Sequence, residues 1–204
     1  MTIENFIQRS HRMLVITGAG CSTASGIGDY RDEQGEWKRV QPVQHQAFMQ
    51  TLAWRQRYWA RSQIGYPEFK RATPNTAHQV LARWESQGRL CGLITQNVDG
   101  LHQRAGHQQV IDLHGRLDQV VCMSCGETLS RDAVQQWLDT HNAPAIHDTL
   151  GMAPDGDADL AITDFSAFKV PQCEQCGGIL KPDVVFFGDS VPKDRVAQAF
   201  AQLD

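Results

Sequence analysis

Four of the six cysteines occur as two CxxC pairs, Cys122/Cys125 and Cys173/Cys176, and nothing else in the 204 residues constrains the fold as tightly. Two such knuckles supply four thiolates within tetrahedral reach, a ligand set that suits zinc. In a chain without a secretory signal they read as metal ligands rather than disulfides. Closed coordination by four cysteines leaves no open position for catalysis, so the expected ion is structural. The chain between the pairs, residues 126–172, must leave this point and return to it, a longer excursion than a zinc ribbon usually carries. Of the other two cysteines, Cys91 lies within an apolar run and reads as a packed core thiol, and Cys21 lies in a glycine turn and reads as structural.

Three apolar runs share a second pattern. Met13–Ile16 ends in Gly18-Ala19-Gly20, Leu90–Thr95 ends in Gln96-Asn97-Val98-Asp99-Gly100, and Val110–Leu113 ends on His114-Gly115. Such runs read as buried parallel strands, and an open parallel α/β sheet forms its ligand crevice at the carboxyl ends of its strands. Three polar clusters at three strand ends therefore argue for one site. Gly18 and Gly20 allow phosphate oxygens close to main-chain N–H groups. A helix capped by Ser22 or Ser25 is expected after the turn. The dehydrogenase fingerprint is excluded, because Thr23 replaces its third glycine and Lys38 and Arg39 stand where its acid belongs. Asp29-Tyr30-Arg31 follow the turn with no periodicity that would explain them structurally.

Periodicity further predicts helices over 4–12, over 48–61 with breakage at Gly65 and Pro67, from Pro74-Asn75 to Gly88, over 131–139, and at the carboxyl end through Val196, Ala199, Phe200 and Leu203. His78 reads as an ordinary surface or packing residue of its helix. Asp183–Phe187 reads as a strand, and the stretch through Pro154–Asp157 as disordered.

A chain that is 41% hydrophobic and 21% charged is expected to form one principal domain. With 19 Lys+Arg against 23 Asp+Glu, a net charge of −4 and no basic cluster, the footprint of a nucleic-acid binder is missing. No leader and no apolar run of about 18 residues is visible, so the expectation is a cytoplasmic protein with no membrane partner.

The combination of GAGCSTASGIGDYR, TQNVDGLHQRAG, DLHG, two CxxC pairs and KPDVVFFGD resembles the sirtuins, the NAD-dependent protein-lysine deacylases, and RYWARSQIGYPEF resembles their class II, mitochondrial-type branch. The resemblance implies a Rossmann-like open parallel sheet with a small zinc module and a helical insert. The Rossmann-like parts would be about 1–34, 75–116 and 182–204, the insert about 35–74 and the zinc module about 117–181. It implies that Gly18, Ala19, Gly20, Ser22, Thr23, Asp29, Tyr30 and Arg31 hold the NAD diphosphate and ribose. Gln96, Asn97, Val98 and Asp99 would form the nicotinamide and ribose pocket. His114 would be the general base that takes a ribose hydroxyl proton after the acyl oxygen displaces nicotinamide. Val185 and Phe187 would clamp the acyl-lysine of a protein or peptide substrate, and Tyr58 and Arg61 resemble the pair with which some sirtuins recognise acidic acyl groups. Zinc at Cys122, Cys125, Cys173 and Cys176 would be structural. The chain departs from the family pattern at Gly28, where proline is usual. It also lacks the Gly-Thr-Ser turn and Asn-containing loop with which sirtuins continue, so it is expected to be short at its carboxyl end. The alternatives are a protein mono-ADP-ribosyltransferase, which shares the same cofactor cleavage, and an inactive zinc- or nucleotide-binding fragment. The sequence does not speak to oligomeric state.

Overall fold

The computed structural model describes residues 2–28, 42–142, 149–152, 156–160 and 164–203. After helix α1 (Ile3–Arg9), strand β1 (Met13–Thr17) enters a parallel sheet with β2 (Leu90–Thr95) and β3 (Val110–Asp112), in the order β1-β2-β3. The three strands predicted from the apolar runs thus share one sheet, and their polar carboxyl ends lie along one edge. The middle strand is the most buried, with Leu93 1% exposed and Ile94 5%. Helices α2 (His45–Gln50), α3 (Leu52–Arg71) and α4 (Thr76–Ser86) lie between β1 and β2, and α4 packs on β2. The start of α4 follows from its sequence, since Asn75 caps it and exchanges hydrogen bonds with the third residue, His78, and left-handed Gly88 follows its end.

Helix α3 runs through Gly65 and Pro67, where the sequence predicts breakage, and both exceptions have tertiary causes. Proline has no N–H with which to reach back four residues, so the carbonyl of Gln63 loses its helical partner. That carbonyl instead accepts a hydrogen bond of 2.9 Å from Gln135 Nε2, on helix α6 (Arg131–His141). At Gly65 a β-carbon would lie 2.1 Å from Gly156 O and 2.6 Å from Ala158 N, so the bare backbone is what lets the helix meet that segment.

Past the short helix α5 (Leu101–Arg104) and β3, the chain turns at Gly115 into a second sheet, β5-β4-β8, with β4 (Gly115–Cys122), β5 (Thr128–Ser130) and β8 (Leu180–Val184). A β-carbon at Gly115, whose φ is +79°, would fall 1.9 Å from Asp183 O, so the turn admits glycine only. The strand expected over 183–187 is found three residues earlier, and it pairs antiparallel with β4 rather than joining the parallel sheet. Proximity decides this, because the zinc knuckles bring residues 122 and 180 side by side. Of the stretch expected to be disordered, Pro154 and Asp155 lie outside the described residues; to either side β6 (Thr149–Met152) and β7 (Ala158–Leu160) pair antiparallel, and Asp157 is only 2% exposed. Helix α7 (Lys193–Ala201) closes the chain against β3. Among the described residues no helix is long and apolar enough to cross a membrane.

Among the described residues the core has two parts. One gathers Phe48, Tyr58, Trp59, Val120, Val134, Leu138 and Leu180, and the other gathers Tyr66, Phe69, Leu117 and Val184. Phe186 packs against both, with its ring 5.4 Å from Phe48 and 5.3 Å from Tyr58.

Candidate functional site

The carboxyl ends of the parallel strands are tied together by side chains. After β1 the chain makes two 3₁₀ turns, Ala19–Cys21 and Thr23–Ser25, where the sequence predicts a capped helix. Left-handed Gly26 ends the second turn, so no long helix dipole points at the crevice and the turn offers individual backbone groups instead. Asn97 donates to Gly18 O and to Ser22 Oγ, each at 3.0 Å. Ser22 donates to Asp99 Oδ2 at 2.6 Å, while Asp99 Oδ1 accepts the Leu101 N–H at 2.8 Å. Gln96 N–H donates to Thr17 O at 3.0 Å, and Asn97 N–H to Thr95 Oγ1 at 3.1 Å. The loops after β1 and β2 are therefore one hydrogen-bonded unit.

His114 joins this unit from β3. Its Nδ1 lies 3.1 Å from Gln96 O, and because a carbonyl only accepts, that nitrogen carries the proton and Nε2 is left as the basic atom of the neutral ring. Burial pushes the imidazole below its ordinary value, opposed by the bond to Gln96. On the far side, Val185 N–H donates to the His114 carbonyl at 2.9 Å, so the strand end after β8 is fixed to the histidine. Residues 184–187 are held from behind as well, since the Phe187 carbonyl accepts from His45 N–H at 2.9 Å. Buried Lys181 donates to Val184 O, lies 3.3 Å from Asp189 Oδ2 and sits 4.5 Å above the Phe186 ring.

These elements enclose a cavity of about 470 Å³. Of the residues singled out in the sequence, Ala19, Ser22, Gln96, Asn97, Val98, Asp99, His114, Val185 and Phe187 line it. Gly18 and Gly20 shape the adjoining turn, where a β-carbon at Gly20 would meet nothing within 4 Å. Thr23 is exposed and donates to Gly20 O at 3.1 Å, so it holds the turn rather than facing the cavity. Gly28 lines the cavity with open space about its Cα. Asp29, Tyr30 and Arg31 lie outside the described residues. Ile27, Phe69, Val184, Phe186 and Asp189 also line the cavity; each lies within a motif that carries the resemblance, although none is singled out there as a site residue.

The lining suits a nicotinamide nucleotide. Both amide protons of Asn97 are spent on Gly18 and Ser22, so it offers a ligand its carbonyl oxygen, and Asp99 beside it offers carboxylate oxygens. A carboxamide NH₂ needs such acceptors. Tyr58 and Arg61 sit further along. Tyr58 is 3% exposed and lines a small annexe of about 30 Å³ that shares residues 184–187 with the main cavity. Arg61 is 7% exposed, and its Nε donates to Ala158 O at 2.8 Å.

The four predicted metal ligands converge. The sulfurs of Cys122 and Cys176 are 3.5 Å apart and those of Cys125 and Cys173 are 3.7 Å apart, against about 3.8 Å for the edge of a tetrahedron with zinc–sulfur bonds of about 2.3 Å. Each knuckle closes on a left-handed glycine, Gly126 or Gly177, whose N–H donates to the carbonyl of the first cysteine. The cluster fits a structural zinc ion.

A second group, Cys21, His78 and His102, brings its ligand atoms within 4.8 Å of one another, but its protons are set against metal. His78 Nδ1 accepts the Asn75 N–H, so its proton is on Nε2, the atom 4.0 Å from Cys21 Sγ. His102 Nε2 lies 2.9 Å from Thr17 Oγ1, whose own proton goes to Thr95. The group is a packing row that His107 extends, with ring centroids 4.7 Å and 5.3 Å apart. Burial, followed by His78 and His107, drives His102 down to about 3, and burial lowers His78 and His107 against the opposing pull of Asp99 and Glu85. Below pH 6.5 the unfolded chain binds protons that this row refuses, so stability falls as pH drops from about 6.5 toward 3. Urea unfolding is expected to show a lower midpoint at pH 4.5 than at pH 7.5, and a smaller pH slope in His102→Gln. An unchanged slope in that variant would remove His102 from the account.

A model of the Sir2 family matches residues 18–204. NAD-dependent protein deacetylase 2 of Bradyrhizobium diazoefficiens is 60% identical over 198 residues, covering 97% of this chain and 72% of that protein. Human NAD-dependent protein lipoamidase sirtuin-4, mitochondrial, is 48% identical over 197 residues, covering 95% of this chain and 63% of that protein. This is the branch that RYWARSQIGYPEF resembles. Among solved structures, a complex of a mutant Sir2 homologue with ADP ribose superposes with a TM-score of 0.72 at 32% identity, covering all of this chain and 70% of that one. A complex of Sir2 with a p53 peptide and NAD+ superposes with a TM-score of 0.67 at 28% identity, covering 99% of this chain and 71% of that one. By sequence and by fold alike, the chain belongs to the Sir2 family, the sirtuins.

Proposed function

We propose that this chain is an NAD-dependent protein-lysine deacylase, acting in the cytoplasm on acyl-lysine in proteins or peptides. One observation carries the reading: in a Sir2-family chain, the acceptors Asn97 and Asp99, the half-buried His114 and the strand end 184–187 all face a single cavity. Gly18, Ala19, Gly20 and Ser22 would hold the diphosphate side of NAD, and Gln96 to Asp99 its nicotinamide and ribose. NAD supplies the bond that breaks, between nicotinamide and ribose. His114, with its proton kept on Nδ1 by Gln96 O, presents Nε2 to a ribose hydroxyl as the base. Val185 aligns the substrate backbone, while the Phe187 ring, 39% exposed, covers the acyl-lysine stem and keeps water from it.

The test is stoichiometric. Zinc-loaded protein given NAD and an acetyl-lysine peptide is expected to release nicotinamide and deacetylated peptide in equal amounts, and neither product when one substrate is withheld. Radiolabel from NAD on the peptide itself, without deacetylation, would point to ADP-ribosyl transfer instead.

A further inference from the structure

Strand β8 lies at the edge of the sheet β5-β4-β8, and its last residue already belongs to the cavity wall. Val184 stands opposite Gly115, but the bond across is made by Val185 N–H, which donates to His114 O at 2.9 Å. The Val184 carbonyl is thereby left on the open edge, where a buried acceptor without a donor is costly. Lys181 supplies the donor. It is 4% exposed, and its Nζ donates to Val184 O, lies 3.3 Å from Asp189 Oδ2 and sits 4.5 Å from the centre of the Phe186 ring. One ammonium therefore holds residues 184, 186 and 189, all of which line the cavity, although Lys181 itself does not.

The rest of the segment is fixed by its backbone. Phe186 O accepts from Asp189 N–H and Phe187 O from His45 N–H, each at 2.9 Å. Among the described residues the Val185 carbonyl meets no donor, so it is the acceptor of this stretch left open to a substrate. Asp189 Oδ2 is shared with His45, whose Nδ1 lies 3.0 Å away. Burial pushes the Lys181 ammonium below its ordinary value and Arg195 works in the same direction, opposed by Asp189 and then by Asp183.

We propose that Lys181 is a positioning residue for the acyl-lysine substrate, fixing the wall 184–189 in the shape that receives the peptide without touching peptide or NAD. This rests on the deacylase reading above. Without the ammonium, the Val184 carbonyl and the Asp189 carboxylate each lose a partner, and the segment can satisfy them with water only by leaving its place. An incoming peptide then has to order its own binding wall, which weakens its binding. Asn97 and Asp99 are held by Gly18, Ser22 and Leu101, none of which depends on Lys181. The loss therefore falls on the peptide and spares NAD.

The test replaces Lys181 with methionine, which keeps the stem and removes the charged donor. Zinc-loaded wild-type and Lys181→Met proteins are compared for acetyl-peptide kinetics at saturating NAD and, by calorimetry, for NAD affinity. The peptide KM is expected to rise about tenfold or more, with kcat within about threefold and the NAD Kd within about twofold of wild type. A purely structural lysine would lower the melting temperature and leave the KM of the folded protein unmoved. Lys181→Gln, which keeps a neutral donor but not the charge facing Asp189, is expected to show the same split, and it decides the matter if Lys181→Met does not retain zinc. A peptide KM within about threefold of wild type in the folded variant would overturn the proposal, and so would a rise in KM matched by an equal rise in the NAD Kd. If wild type turns over no acetyl peptide, the deacylase reading fails and this inference with it. Active wild type and an unmoved KM in the variant fail the inference alone.

Discussion

Replacing His114 with alanine is expected to lower acyl-peptide-dependent nicotinamide release by about 10²- to 10⁴-fold, the range a positioned general base supplies. The ring's carbonyl partner, Gln96 O, belongs to a backbone already fixed to Thr17, so the cavity wall is expected to survive the truncation. NAD binding measured by calorimetry is therefore predicted to change far less than turnover. The pH profile carries the same signature. Burial favours the neutral imidazole, so the base is already deprotonated at pH 7. Activity is expected to be flat through pH 7 and to fall only on the acid side, below the ordinary histidine value of about 6.5. A His114→Ala protein within fivefold of wild type would end the assignment.

Loss of the metal is expected to do more damage. Structural zinc contributes on the order of 10–16 kcal/mol in small cysteine sites, as much as the whole stability of an ordinary domain. Cys125→Ser, or stripping with a strong chelator, is predicted to release one zinc per chain and to unfold β4, β5 and β8 together, followed by circular dichroism and by a chromogenic zinc dye. Activity should vanish in the same step although no cysteine touches the cavity. The reason is connectivity, because β4 starts at Gly115 beside His114 and β8 runs directly into residues 184–187. A Cys125→Ser protein that melts within about 2 °C of wild type would contradict this arrangement.

Much of this was legible in the residues. The three parallel strands declared themselves by apolar runs, and their polar ends by the residue types that stand there, since His114, Asn97 and Asp99 have no packing reason to follow a buried strand. The cysteine spacing gave the zinc cluster for a similar reason, because ligand chemistry is local. What escaped depends on contacts distant in sequence. The partner of β8 is chosen by where the knuckles bring it, and Phe69 reaches the cavity only because α3 continues past Pro67. Asp157 read as part of a disordered stretch. Only the bare backbone of Gly65, 92 positions earlier, makes it a buried wall residue.

The bond from Gln135 to the Gln63 carbonyl also bears on the order in which the molecule can assemble. An uninterrupted helix closes its hydrogen bonds from its own neighbours in well under a microsecond to about one microsecond. Helix α3 cannot finish this way. Its carbonyl at Gln63 waits for a side chain 72 residues later in the chain, so the last turns of a local element are deferred to a long-range contact. The amino-terminal half of α3 can form early, while the part that reaches the cavity through Phe69 matures only with the arrival of α6.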